Sequence, residues 1–336
     1  MRTENGKLRL CYSKQEKRRY LMEPNMRTRT DDTTRMILLT VYAAALVLSC
    51  ATLNNSPGPE MEATPLPTYR EGTTFVYSDG TWETVIESLP ARVTWSDHLG
   101  NVSSGAPDFV YRREHWQTEK RTGTRRFLTR EADSLWPLGK GNTIRYTEIG
   151  TWSDESGIRK SYESQWACRV TGTVRVSVLA GNFDTWKIEC RRDSVGADSG
   201  KKRKREKKTW YYAPAIGHYV LTANTYYGKR NPRRLELVAV LPSLAGLTPE
   251  ERHLVQARFQ QAMEYQPSGR SVSWPKTVTL FGGEITPIDT FRTSNGAFCR
   301  RYVQIFYLPE GQRIYHGMAL RDAQGRWVIP RQGSES

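Results

Sequence analysis

The stretch Thr173–Cys190, TVRVSVLAGNFDTWKIEC, decides the fold. Val174, Val176 and Val178 alternate with polar residues before Ala180-Gly181, and Phe183, Trp186 and Ile188 follow on the far side. Apolar residues at every second position put one face of a strand against a core. A small-residue turn between two such runs predicts a β-hairpin. Cys168 and Cys190 are nearly equidistant from that turn. Residues so placed face each other with Cβ atoms about 4.5–5.5 Å apart, so a Cys168–Cys190 disulfide is expected. The alternative is two reduced cysteines buried as small hydrophobes.

The same punctuation extends outward from the hairpin. Short β-like runs recur at residues 73–78, 81–88, 109–116, 124–130, 142–150, 163–176, 183–191, 208–212, 219–227 and 235–241, with no helical period between them. Ten Trp and seventeen Tyr suit this pattern, because flat rings pack well on a pleated, half-buried surface. The economical reading of residues 69–243 is a mainly β domain, an antiparallel curved sheet or open barrel.

A small α+β domain is expected over residues 244–331, before a short tail at 332–336. Thr248 can cap a helix with Pro249 at its first position and Glu251 completing a capping box. Val255, Phe259, Ala262 and Met263 then share one stripe, and Gln266-Pro267-Ser268-Gly269 ends the helix. Runs at 271–280, 283–287, 297–308, 312–321 and 327–330 predict an antiparallel sheet.

Upstream of both, Met36–Leu48 reads MILLTVYAAALVL, without a charge. A helix needs roughly 20 apolar residues to span a bilayer, so this run is too short to cross. It suits the apolar core of a signal peptide, with Arg27, Arg29 and Arg35 as the positive flank. Residues 1–49 are therefore expected to be removed, with the true start at Met1, Met26 or Met36. Residues 50–68, rich in Pro and polar residues, read as a flexible tether. The alternative is a short core helix ending in Cys50.

The chain carries 50 Lys/Arg and 35 Asp/Glu, a net charge of +15. Residues 1–49 hold ten and five of these, so the remainder, 40 against 30, carries +10. Such a charge favours anionic neighbours without naming one. The sharpest feature is Lys201-Lys202-Arg203-Lys204-Arg205-Glu206-Lys207-Lys208. It holds no aromatic residue, and nucleic-acid recognition usually adds one for stacking, so nucleic acid is not the expected partner. The run reads as a solvated loop. Its alternative role is contact with anionic lipid or lipopolysaccharide headgroups through Lys201, Lys202, Arg203, Lys204, Arg205, Lys207 and Lys208.

Catalytic and metal signatures do not emerge. Cys11, Cys50, Cys168, Cys190 and Cys299 form no CxxC, and His98, His115, His218, His253 and His316 are scattered without ligand spacing. No catalytic residue, metal or cofactor is assigned, and an enzyme is not expected.

Three resemblances refine the reading. Val47-Leu48-Ser49-Cys50 resembles the lipobox of bacterial lipoproteins, which implies acylation of Cys50 and anchoring in a membrane, the outer one given Ala51. Leu135–Lys140, Ala180–Thr185, Trp210–Gly217 and Leu235–Val238 resemble motifs of an uncharacterised family of periplasmic β-domains. Finally, Leu247 to Pro330 is similar to the bacterial surface-antigen lipoprotein family. The resemblance is carried by Trp274, Gly282-Gly283, Pro287, Gly296–Tyr302, Gly317–Arg321 and Gly325-Arg326-Trp327. That family's pattern would place a second cysteine at Leu320 to partner Cys299, so a disulfide in this region is not expected. Together these imply a non-enzymatic cell-envelope lipoprotein, a structural or interaction module facing the periplasm or the surface. The alternative is a periplasmic carrier or binder of a hydrophobic or anionic envelope ligand such as lipid, lipopolysaccharide or cell-wall polymer.

Overall fold

Alternating burial along the long central strands turns one face of the first sheet inward, and the sheet's two ends meet. The computed structural model describes residues 56–111, 113–129, 134–196, 201–228, 230–275, 281–293, 296–309 and 311–331. The export segment, the acylation site Cys50 and the tail 332–336 lie outside the described residues.

In chain order the strands are β1 (Ser56–Pro57), β2 (Thr74–Tyr77), β3 (Trp82–Leu89), β4 (Arg92–Asp97), β5 (Val102–Gly105), β6 (His115–Gln117) and β7 (Arg121–Thr129). There follow β8 (Thr143–Asp154), β9 (Arg159–Val178), β10 (Gly181–Val195), β11 (Lys202–Ala213), β12 (His218–Tyr226) and β13 (Arg233–Leu241). Neighbours pair antiparallel from β2 to β13, and β13 pairs back onto β2 through Val240↔Phe75 and Leu241↔Thr74. The result is a closed barrel of twelve strands. The expected curved sheet or open barrel is thus corrected to a closed one. Closure satisfies the edge N–H and C=O groups that an open sheet leaves exposed, and β2 is buried along most of its length.

Two local readings also change. Residues 109–111, 113 and 114 are not in a strand: Phe109 and Val110, 4% and 3% exposed, plug the barrel instead. Strands β4 and β5 were not anticipated, although Trp95 on β4 is 1% exposed and central to the core.

The middle of the barrel is filled with rings. Tyr69 meets Trp95 edge-on at 4.8 Å, and Phe109 stacks on Tyr212 at 5.3 Å. On β8, Ile144, Tyr146 and Glu148 point inward while Thr143 and Arg145 are exposed. An apolar interior with a polar outer wall reverses the pattern of a barrel whose outside faces lipid. No helix among the described residues is long and apolar enough to cross a membrane.

Helix α1 (Pro249–Tyr265) begins with the expected capping box, in which Thr248 and Glu251 exchange side-chain and backbone bonds. It packs on β14 (Val272–Trp274), β15 (Gly282–Arg292), β16 (Phe298–Leu308), β17 (Gly311–Arg321) and β18 (Trp327–Val328). This sheet joins the barrel through Ala239↔Gly317. The described residues all fall within one compact unit, Asn55–Ser336.

The tether differs from expectation where it is described. Ser56 pairs with Arg175, the Gly58 amide donates to the Thr173 carbonyl, and Thr64 bridges to Leu138. The Trp186 indole, 3% exposed, donates to Thr64 Oγ1 at 2.8 Å. A buried indole N–H needs a partner, and the tether supplies it. Residues 56–68 are docked on the barrel rather than free.

Candidate functional site

The hairpin strands run past the filled centre of the barrel and form a mouth at one end. Turns β8–β9, β10–β11 and β12–β13 all lie there. Inside this mouth is a cleft of about 1060 Å³. Arg192, Lys201, Arg203, Arg205 and Arg230 line it together with Tyr162, Tyr226 and Tyr227, against Glu163 as the one lining carboxylate among the described residues.

The polybasic run builds much of this cleft, and it does so as a strand. Lys202–Lys208 lie within β11, hydrogen-bonded to β10, which corrects the expected loop. β10 continues to Val195 because Arg191–Val195 find backbone partners on β11, and the Gly196 amide donates to the Lys201 carbonyl beyond them. A bulge falls here: Arg192 pairs with Glu206 and Asp193 with Lys204, so Arg205 has no opposite residue on β10. An extra residue re-aims the side chains beyond it. Arg203 consequently sits opposite Ser194, on the inner face shared with Arg192. Lys201, Arg203 and Arg205 line the cleft, whereas Lys202, Lys204, Lys207 and Lys208 do not. Lys207 instead pairs with Glu189 at 3.5 Å, Lys204 lies over the Tyr227 ring, and Lys208 lies 3.5 Å from the Trp210 centroid.

The floor of the mouth is a polar network. Glu148, 0% exposed, accepts from Tyr162 Oη at 2.7 Å and from Trp166 Nε1 at 2.8 Å, and Arg125 approaches it at 3.4 Å. Arg192 Nη2 donates to buried Glu206 at 3.0 Å. A buried charge is tolerated only when paired and hydrogen-bonded, and both carboxylates are. Above this floor the cations are stacked on rings, Arg192 over Trp166 and Arg230 over Tyr226.

Sequence reasoning missed Arg192, Arg230, Tyr226 and Tyr227. Arg192 was legible in principle, two residues beyond Cys190 on the same strand face. Arg230 lies in a turn, where no periodicity points to it.

His218, the histidine with the most perturbed surroundings, sits deep in the barrel. Tyr69 Oη lies 2.9 Å from its Nδ1 and Tyr77 Oη 3.0 Å from its Nε2. Burial pushes its imidazole well below the ordinary range. Both ring nitrogens are engaged in holding the core together. Cys168 and Cys190 are in register and joined by a disulfide. No cluster of three or more His, Cys, Asp or Glu able to hold a metal occurs among the described residues.

Fold and site thus define a polar-walled, ring-filled barrel with a basic mouth and an α+β lobe on its β13 edge. Comparison with known proteins bears on that lobe. Residues 261–328 match the family described as 17 kDa outer membrane surface antigen, the resemblance read from the sequence. The 17 kDa surface antigen of Rickettsia japonica is 34% identical over 85 residues, covering 25% of this chain and 54% of that protein. The antigen of Rickettsia felis is 35% identical over 84 residues, covering 25% and 53%. The chain spans about half the length of these curated relatives. Among solved structures, the hypothetical lipoprotein YmcC of Escherichia coli aligns with 64% of this chain and 100% of its own, at 11% identity and a TM-score of 0.34. An exported protein of Bacteroides fragilis with a YmcC-like fold aligns with 54% and 100%, at 12% identity and 0.31.

Proposed function

We propose that this chain is a non-enzymatic cell-envelope lipoprotein, anchored in the outer membrane by acyl chains on Cys50, that holds an anionic envelope ligand in its barrel mouth. The observation that carries the reading is the cleft, where, among the described residues, five cations face one carboxylate. A recess lined by one sign of charge with low-dielectric walls concentrates ligands of the opposite sign. The lipobox resemblance and the surface-antigen likeness of residues 261–328 support the envelope setting. The non-enzymatic reading draws support from His218 and Glu148, whose polar atoms are committed to structural hydrogen bonds. An anionic ligand is favoured over a hydrophobic one because packed aromatic rings occupy the barrel centre.

The test is binding of soluble polygalacturonate and polyphosphate, with neutral dextran as control, to the full-length protein in neutral detergent micelles. The expected result is salt-sensitive binding of polyanions that falls about tenfold or more in Arg203→Glu/Arg205→Glu. Equal binding of dextran and polyanions would overturn the reading.

A further inference from the structure

The mouth and the attachment point lie at opposite ends of the barrel. Ser56 pairs with Arg175, near the end of β9, whereas the cleft is lined by Ser161–Ser164 near its beginning. From Arg159 at the rim to Arg175 the strand runs roughly 50 Å, or roughly 40 Å along a barrel axis at the usual tilt. Six peptide units separate Cys50 from Ser56, a contour of at most about 20 Å. Pressing the mouth onto the anchoring bilayer would lift Ser56 about twice that distance above it. Beyond about 8 Å at physiological salt, headgroup charge is largely screened. The basic mouth therefore cannot open face-on against the headgroups that hold the anchor.

What enters must come from the other side and must fit a recess, which a chain can do and a flat bilayer cannot. The inner wall beside the cleft indicates its chemistry. Ser103, Trp116, Gly123, Trp152 and Lys160 form one cross-strand row over β5–β9. This row shares the inward face with Arg125, two residues further along β7, and Glu148, four residues further along β8. Trp116 and Trp152 stand two strands apart, about 10 Å, and both are half-buried. Trp116 leans across Gly123, where any Cβ would come within 2.5 Å of the indole. Arg121 and Lys160 lie over the Trp152 ring, 4.6 and 5.3 Å from its centre, and Arg125 over Trp116 at 5.5 Å. Indole faces accept the C–H faces of sugar rings, and a cation that a sugar displaces from such a face stays within reach of the sugar's acidic substituent. Ser164 and Glu163 in the cleft add acceptors for hydroxyl groups.

We propose that the occupant of the mouth is an acidic polysaccharide chain approaching from the side away from the anchoring membrane. Its sugar rings lie against Trp116 and Trp152, and its carboxylates or phosphates meet Arg192, Arg203, Arg205 and Arg230. The proposal rests on the anion-binding, Cys50-anchored reading above.

The experiment uses full-length protein, its lipidation first established by intact mass, reconstituted through its anchor into phosphatidylcholine liposomes with and without phosphatidylglycerol. Polygalacturonate should bind in preference to polyphosphate, equally at both lipid compositions, and about tenfold more weakly to Trp116→Ala/Trp152→Ala. Polyphosphate binding should be unchanged in that variant, and circular dichroism and thermal melting show whether the variant folds. Gly123→Val, which displaces Trp116 alone, should act in the same direction. Equal binding of both polymers, indifferent to the tryptophans, would overturn the saccharide assignment and leave the anion cleft standing. Competition by phosphatidylglycerol in the anchoring bilayer would overturn the orientation. Loss of all polyanion binding would instead sink the functional reading itself.

Discussion

Cys168 and Cys190 face each other because Thr171 has no partner on β10. The register Gly181↔Val178 centres the hairpin between Leu179 and Ala180, whereas the cysteines are symmetric about Leu179. Without correction Cys190 would oppose Arg169. The ladder steps from Lys187↔Gly172 to Ile188↔Val170, and the skipped residue restores the pairing. Gly172, with φ 136°, takes the left-handed-side backbone that the bulge requires.

Replacing both cysteines by alanine should cost about 3 kcal/mol, from a loop closed over 22 residues. That should lower Tm by roughly 6–12 °C at about 2–4 °C per kcal/mol, as should reductant on the parent protein. Deleting Thr171 should keep Cys168 opposite Cys190 and keep the bridge, while an alanine inserted between Arg169 and Val170 should lose it. Intact mass under non-reducing conditions reads both outcomes. If the insertion variant stays bridged, register does not set the pairing.

Strand existence was legible wherever alternation ran long, as at Val174–Val178, and the helix from Thr248 was legible because capping chemistry is local. Closure was not, because Val240↔Phe75 joins residues far apart in sequence and no local pattern encodes a register. The polybasic run misled for a related reason. Eight consecutive charges carry no apolar period, yet both walls of a flared hairpin face solvent, so backbone pairing alone keeps Lys202–Lys208 extended. Trp95 was overlooked because its strand, RVTWSD, offers only two buried positions.

Glu148 holds the floor of the mouth, and its removal should be severe. Glu148→Ala would deprive Arg125, whose side chain is 12% exposed, of its carboxylate while leaving its bonds to the Tyr162 hydroxyl and Arg113 carbonyl, and would leave the Trp166 indole without its acceptor. Breaking a buried pair on one side costs about 3–5 kcal/mol. Urea denaturation should show this loss for Glu148→Ala and a smaller one for Glu148→Leu combined with Arg125→Met, which removes both charges. Equal losses would mean that the pair is not the source of the effect.

Arg300 ties the lobe's sheet to the end of its helix. Its Nη1 donates to the Met263 carbonyl at 2.6 Å and its Nη2 to the Gln266 carbonyl at 2.7 Å, satisfying groups that a helix end leaves open. Charged hydrogen bonds contribute about 1.5–3 kcal/mol each, so Arg300→Ala should destabilise by about 2–4 kcal/mol. Lysine has no rigid fork to bridge two carbonyls, and Arg300→Lys should recover little. Hydrogen exchange in the last turn of α1 should quicken in both variants, and unchanged protection there would refute the capping role.

Two buried groups give stability opposite pH slopes below neutrality. His218 is held neutral by burial, its folded pKa well below the unfolded value near 6.5. A depressed pKa means that its contribution is present above about pH 6.5 and declines as pH falls below that value, at up to about 1.4 kcal/mol per unit. Asp108 behaves in reverse: burial pushes its carboxyl up to about 6, with the Val110 amide as a partner at 2.8 Å. Its contribution is full below about pH 3.8 and is lost as pH rises through about 6. Asp108→Asn keeps an acceptor for Val110 without the charge, so it should raise stability at pH 7.5 by about 1–3 kcal/mol. It should also steepen the acid-side loss, since His218 then acts unopposed between about pH 4 and 6. His218→Gln should cost about 2–4 kcal/mol at pH 7.5 by loosening its bonds to Tyr69 and Tyr77, and should flatten the same limb. Urea titrations from pH 4.5 to 7.5 on the three proteins separate the slopes. A parent curve that stays equally steep in His218→Gln would assign the acid sensitivity to other groups.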